Sequence, residues 1–136
     1  MGVLSTKIEP GQMIGGRYLL TSVLGKGGFG TVFSALQAPL ERPVAVKVCH
    51  ASGDDIRAVE RFEREARIIG QLRSPHTVRL YDYGRTENGL AYFAMELIDG
   101  RTLADEIALG PISPVRAAHI IRDVCESLAE AHAHGV

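Results

Sequence analysis

The stretch LGKGGFGTV, residues 24–32, decides how the rest of the chain is read, because its glycines fall at Gly25, Gly27 and Gly30. The spacing Gly-x-Gly-x-x-Gly does not discriminate by itself. Two unrelated architectures use it to bring backbone N–H groups close to phosphate oxygens. In one, the glycines open a helix, and an acidic residue follows about 20 positions later at the end of the next strand. In the other, they form a flap between two antiparallel strands. The residues after Gly30 are TVFSA, β-branched and aromatic, which favours a strand. Where the acid would be needed stands a base, Lys47. The flap reading is preferred, with a dinucleotide-binding turn of an oxidoreductase and a plain hairpin turn as alternatives.

Working outward, RYLLTSVLG (17–25) and TVFSALQA (31–38) read as the strands that flank the flap. VAVKVCH (44–50) is a third strand, with Val44, Val46 and Val48 on one face and Ala45, Lys47 and Cys49 on the other. From about Asp54 to Leu72 the apolar period becomes helical, through Ile56, Val59, Phe62, Ala66, Ile69 and Leu72. Asp54 and Asp55 suit the positive end of that helix. TVRLYDYG (77–84) and LAYFAMEL (90–97) are two more strands around Asn88-Gly89, a hairpin signal. RTLADEIAL (101–109) reads as a short helix, and Ser113-Pro114 begins a final one that runs to about His134.

The predicted architecture is therefore α+β. A five-stranded antiparallel sheet with one inserted helix spans 17–98, and two helices follow over 99–136. Residues 1–16, with Pro10, Gly11, Gly15 and Gly16, are expected to be a flexible lead-in.

With 46% hydrophobic and 23% charged residues, the 136-residue chain has the composition of an ordinary globular domain. A net charge of −1 gives no general attraction to nucleic acid or to an anionic membrane. Two well-separated cysteines, Cys49 and Cys125, and no secretory leader pattern favour a reducing, cytoplasmic setting. MGVLST satisfies a short myristoylation pattern through Gly2 and Thr6, weighed against an ordinary frayed terminus. His132 and His134 fall on different helix faces, and neither they nor His119 have a third ligand, so a solvated helix end is expected rather than a metal site.

A lysine in mid-strand is commonly a snorkelling surface residue. Lys47 reads differently because of the helix that follows. At about 100° per residue, Glu60 and Glu63 project to the solvent side with Arg64 and Arg67, whereas Glu65 falls between Ile69 and Leu72 on the apolar stripe. A carboxylate there needs a partner, and Lys47 is the evident one.

Glycine flap, VAVKV and inward helical glutamate together resemble the N-terminal lobe of a eukaryotic-like protein kinase. RYLLTSVLGKGGFGTVFSA, REARIIGQLRSPHTVRLYDYG and MELIDGRTLADEI are particularly similar to the bacterial Ser/Thr kinase family. The resemblance runs from about Arg17 to Val136. It implies that Gly25, Lys26, Gly27, Gly28, Phe29, Gly30 and Thr31 form the flap over the ATP phosphates, with Phe29 at its tip. Lys47 is implied to contact the α- and β-phosphates and to pair with Glu65 of the regulatory helix. Leu24, Val32 and Ala45 are implied to roof the adenine, Met95 to be the gatekeeper, and Glu96 to Ile98 the hinge. Ile69 and Leu80 match two residues of the apolar stack that couples the lobes. SPHTV stands where the family more usually has His-Pro-Asn-Ile-Val, a departure expected to be neutral.

In that family the final LAEAHAHGV leads into a catalytic loop, His-Arg-Asp-x-x-x-x-Asn, and later Asp-Phe-Gly, which hold the base and the Mg²⁺ ligands. Neither motif occurs in the 136 residues. The expectation is a nucleotide-gripping fragment cut before the chemistry, inactive alone and binding ATP only weakly. The apolar stripe Val115, Ala118, Ile121, Val124, Cys125, Leu128 and Ala131 is expected to be left exposed. The alternative function is a catalytically dead kinase-like module that docks a protein partner through this helix.

Overall fold

The computed structural model describes residues 7–50 and 55–136; Gly2 and Thr6 of the lipidation pattern, and Asp54, lie outside them. The strands are β1 (Met13–Ile14), β2 (Tyr18–Lys26), β3 (Gly30–Gln37), β4 (Arg42–Cys49), β5 (Leu80–Arg85) and β6 (Ala91–Met95). Helix α1 (Ile56–Gln71) lies between β4 and β5, and α2 (Leu103–Ala108) and α3 (Pro114–Ala133) follow the sheet. Every pairing is antiparallel, in the order β1-β2-β3-β4-β6-β5.

The sheet thus has six strands where five were expected. The addition comes from the presumed lead-in, where Met13 pairs with Leu19 and Ile14 with Tyr18. Gly15 and Gly16, at φ 58° and 68°, turn the chain straight back on itself. A Cβ on Gly15 would also stand 2.0 Å from the Tyr92 hydroxyl, so no larger residue fits that turn. Hydrogen bonds from the Gly11 N–H to the Leu20 carbonyl (2.7 Å) and from the Leu20 N–H to the Gln12 carbonyl (2.9 Å) extend the attachment.

The alternation read from VAVKVCH sorts two cores onto the two faces of the sheet. Val44, Val46 and Val48 join Tyr18, Leu20, Phe33, Leu90 and Tyr92 on one face. Cys49, Ala91 and Phe93 meet Phe62 and Ala66 of α1 on the other, with Ile69, Leu80 and Met95 at the margin. Tyr18 packs edge-on to Tyr92 at 5.8 Å, and its hydroxyl donates to Asp82 at 2.9 Å. Burial first, then that hydrogen bond, pushes the Tyr18 phenol up to about 12.

Helix α1 is capped by Asp55, whose side chain accepts from the Ala58 N–H. Glu63 does not point freely to solvent as its position on the helical wheel suggested. Its carboxylate accepts from the Tyr83 hydroxyl and from Arg85, both at 2.6 Å, because alternate residues of β5 rise beneath that side of the helix. The Tyr83 hydrogen bond first, and then the Arg85 charge, hold this carboxyl below its usual range. Ile56, placed on the apolar stripe, is 65% exposed at the helix start.

Thr102 and Asp105 form a reciprocal capping box on α2, and Ser113 caps α3 ahead of Pro114. Val115, Ile121, Val124 and Leu128 are all exposed on α3, as the sequence anticipated, while Ala131 is buried. Among the described residues no helix is long and apolar enough to cross a membrane.

SPHTV (74–78), whose departure from the family pattern was expected to be neutral, ties α1 to α3 together with Arg73 before it. The Glu130 carboxylate accepts the backbone N–H groups of Arg73 (2.6 Å) and Ser74 (2.8 Å). His76 Nε2 lies 3.1 Å from the Glu126 carboxylate, and the Thr77 and Ser127 hydroxyls are hydrogen-bonded. The two backbone donors hold the Glu130 carboxyl below its ordinary value. A depressed carboxylate stabilises the fold above the ordinary glutamate range and stops doing so as pH falls through its folded value. Glu130→Ala is therefore expected to melt earlier than the parent at pH 7, the gap narrowing below about pH 4. A gap of equal size at both pH values in thermal melts would refute the ionic contribution.

Candidate functional site

The glycine-rich hairpin is built by the register of β2 on β3, in which Gly25 faces Val32 and Lys26 faces Thr31. The Gly27 N–H closes the tip on the Gly30 carbonyl at 2.9 Å. The glycines divide by role. A Cβ on Gly30 would sit 2.4 Å from the Val48 carbonyl oxygen, so the absence of a side chain there lets β3 lie on β4. A Cβ on Gly25, Gly27 or Gly28 would meet no atom of the protein within 4 Å. The fold does not require glycine at those three positions.

Phe29, at the tip, is half exposed, and the Arg61 guanidinium of α1 lies 5.1 Å from its ring centroid. This contact was not foreseen. It ties the hairpin tip to α1.

From the hairpin the register runs to the lysine. Val32 pairs with Lys47, and Lys47 with Phe93 on the next strand. Lys47 and Glu65, expected to pair, do so: Nζ lies 2.8 Å from Oε1. The lysine side chain is 19% exposed and the glutamate 40%, so the pair sits at the edge of the second core with its glutamate end wet. The Lys47 ammonium also lies 5.8 Å from the Phe93 ring centroid. Strand and helix each bring one charge, and the packing of Phe62 and Ala66 on β6 sets their separation.

Of the remaining residues, Ala45 is buried and pairs with Met95, itself partly buried. Leu24 and Ile98 are 53% and 63% exposed. The Glu96 N–H donates to the Arg79 carbonyl at 2.8 Å, and the Glu96 carboxylate accepts from the Arg79 N–H at 3.3 Å. What Glu96 can offer a ligand is thus its carbonyl. By register Val32 lies beside Lys47 and Ala45 beside Met95, and the hairpin and Lys47 offer N–H donors and a cation. Such a set suits a flat apolar ring attached to phosphates, and the open space over Gly25, Gly27 and Gly28 leaves that side of the hairpin approachable, with the Gly27 N–H already given to Gly30. Among the described residues no three His, Cys, Asp or Glu side chains are grouped to hold a metal ion.

A curled antiparallel sheet with a glycine hairpin over one face and a lysine–glutamate pair locking its single helix defines the smaller lobe of a protein kinase. The sequence model of the family described as protein kinase domain matches residues 18–136. The chain belongs to that family. It is 43% identical over 130 residues to the serine/threonine-protein kinase PknB of Mycolicibacterium smegmatis, covering 92% of this chain and 21% of that protein. It is 39% identical over 133 residues to the probable serine/threonine-protein kinase pknA2 of Bifidobacterium longum, covering 94% and 17%. The crystal structure of the Mycobacterium tuberculosis PknI kinase domain superposes with a TM-score of 0.75 at 24% identity, covering 96% of this chain and 53% of that one. The chain thus spans about a fifth of the length of these relatives and about half of the solved kinase domain.

Proposed function

We propose that this chain is the ATP-gripping portion of a protein serine/threonine kinase. The observation that carries the reading is the Lys47–Glu65 ion pair at 2.8 Å, one strand away from a hairpin whose outer glycines face open space. In this reading the N–H groups of the hairpin receive the β- and γ-phosphates. Lys47 holds the α- and β-phosphates, with Glu65 fixing its ammonium in place. Ala45, Val32 and Leu24 cover the adenine ring, and the backbone of Glu96 to Ile98 reads its edge. Mg²⁺, when bound in a whole kinase domain, neutralises charge on the phosphates. The relatives are serine/threonine kinases by name, which supports a hydroxyl of a protein side chain as acceptor.

Catalysis asks for more than these 136 residues contain. A positioned general base contributes about 10²- to 10⁴-fold, and the sequence holds neither His-Arg-Asp nor Asp-Phe-Gly. The 136-residue chain alone is expected to transfer no labelled γ-phosphate to protein in the presence of Mg²⁺, and to bind ATP in the millimolar range for want of enclosure. Transfer above background would overturn the first expectation, and micromolar affinity in a titration the second. Gly27→Ala supplies the check on the site itself. It touches nothing in the fold, so it is expected to leave the melting temperature unchanged and weaken nucleotide binding; equal affinity would remove the hairpin from the site.

The alternative of a dead interaction module has only the exposed stripe of α3 and the apolar groove between α2 and α3 to recommend it. The same surfaces suit the packing of a kinase domain's larger lobe.

A further inference from the structure

The two legs of the glycine hairpin are held unequally. The leg that leaves the tip is anchored. Gly30 lies on β4 with no room for a side chain, the His50 N–H donates to the Phe29 carbonyl at 3.3 Å, and the His50 ring is hydrogen-bonded to the Thr31 hydroxyl. On the leg that enters it, Gly25, Gly27 and Gly28 face open space. Where the two meet, half of the Phe29 ring is exposed, and the Arg61 guanidinium stands 5.1 Å from its centroid, within cation–π range.

Arg61 comes from the helix that also carries Glu65. Four residues apart, the two share one flank of α1. Each directly precedes a buried residue of that helix, Phe62 and Ala66. The packing that sets Glu65 against Lys47 therefore also sets Arg61 against the hairpin tip.

We propose that Arg61 is a positioning residue for the nucleotide, acting through Phe29 to hold the hairpin tip in place; this rests on the ATP-gripping reading of the hairpin. A glycine-rich loop gives up much backbone freedom when it closes on a ligand. Fixing Phe29 beforehand removes part of that cost, so a hairpin clasped to α1 binds ATP more tightly than a loose one. A shift of α1 releases the lysine and the hairpin together.

The test is ATP kinetics in the kinase domain that carries this segment, with a thermal melt as the control for folding. Arg61→Ala is expected to raise the KM for ATP about two- to fivefold, what an exposed cation–π contact supplies, and to change kcat by less. Arg61 is exposed, so the melting temperature should stay where it is. Arg61→Lys keeps a cation for the ring and is expected to restore most of the affinity. Phe29→Leu is expected to raise KM by a similar factor, and Arg61→Ala added to it to raise KM no further. Without nucleotide, the Arg61 side-chain protons are expected upfield in the parent, under the ring current of Phe29, and should move back in Phe29→Leu. Three results would each overturn the clasp: an unchanged KM in Arg61→Ala, a further rise in the double variant, or Arg61 protons indifferent to Phe29→Leu. Gly27→Ala locates the failure. If it raises KM and Arg61→Ala does not, the hairpin grips ATP unclasped; if neither does, the ATP reading falls and the clasp with it.

Discussion

Lys47→Met is expected to lower phosphoryl transfer by roughly 10²- to 10³-fold in the kinase domain that carries this segment, the loss typical of removing one preorganised charge from a transition state. Its melting temperature should hardly move. The two effects separate because of where the pair sits. The methionine stem keeps the packing of the lysine stem beside Phe93. Glu65, already 40% exposed, can return to water when its partner goes. An ion pair with one wet end contributes at most about 1 kcal/mol, so the fold loses little while the phosphate grip loses its cation. Steady-state kcat and the KM for ATP, measured beside a thermal melt, check both halves. A parental rate in Lys47→Met would remove the lysine from the mechanism. Glu65→Gln should move the rate in the same direction by less, because an amide oxygen still accepts from the ammonium.

Much of this site was legible in the residues. The valines of VAVKV alternate so regularly that Lys47 had to lie on the opposite face from Val46 and Val48, and Glu65 was the acid on the helical stripe that faces back to it. What escaped has physical causes. A strand of two residues such as Met13–Ile14 has no period to detect, and its glycines looked like punctuation rather than a return turn. Helical spacing places Glu63 on a side of α1 but does not tell how the helix sits over β5, so Tyr83 and Arg85 could not be foreseen as its partners. Glu130 meets Arg73 across 57 residues of chain, and no local pattern encodes that contact. Gly30 carries a requirement that spacing alone does not show: of the four hairpin glycines it is the one whose side chain the protein itself excludes.

Phe62→Ala is the substitution expected to harm stability most. The ring is 1% exposed and stacks at 5.0 Å on Phe93, in a cluster completed by Cys49, Ala66 and Ala91. Its removal leaves a cavity that small neighbours cannot fill, at a cost of about 3–5 kcal/mol. Against a total stability of about 5–15 kcal/mol, that lowers the melting temperature by roughly 10–20 °C. A urea titration with an unchanged slope and a lower midpoint would confirm a loss of native packing, whereas a loss below about 1 kcal/mol would mean that this core does not seat α1. The substitution reaches the site as well. Phe62 and Ala66 are the buried residues of α1, and Glu65 rides between them. If seating the helix is what holds Glu65 at 2.8 Å from Lys47, then Phe62→Ala already loses most of what Glu65→Gln can take away. The double variant should then transfer phosphate little more slowly than Phe62→Ala alone, the non-additivity that residues of one coupled unit show. Additive losses would make the ion pair independent of the core beneath it.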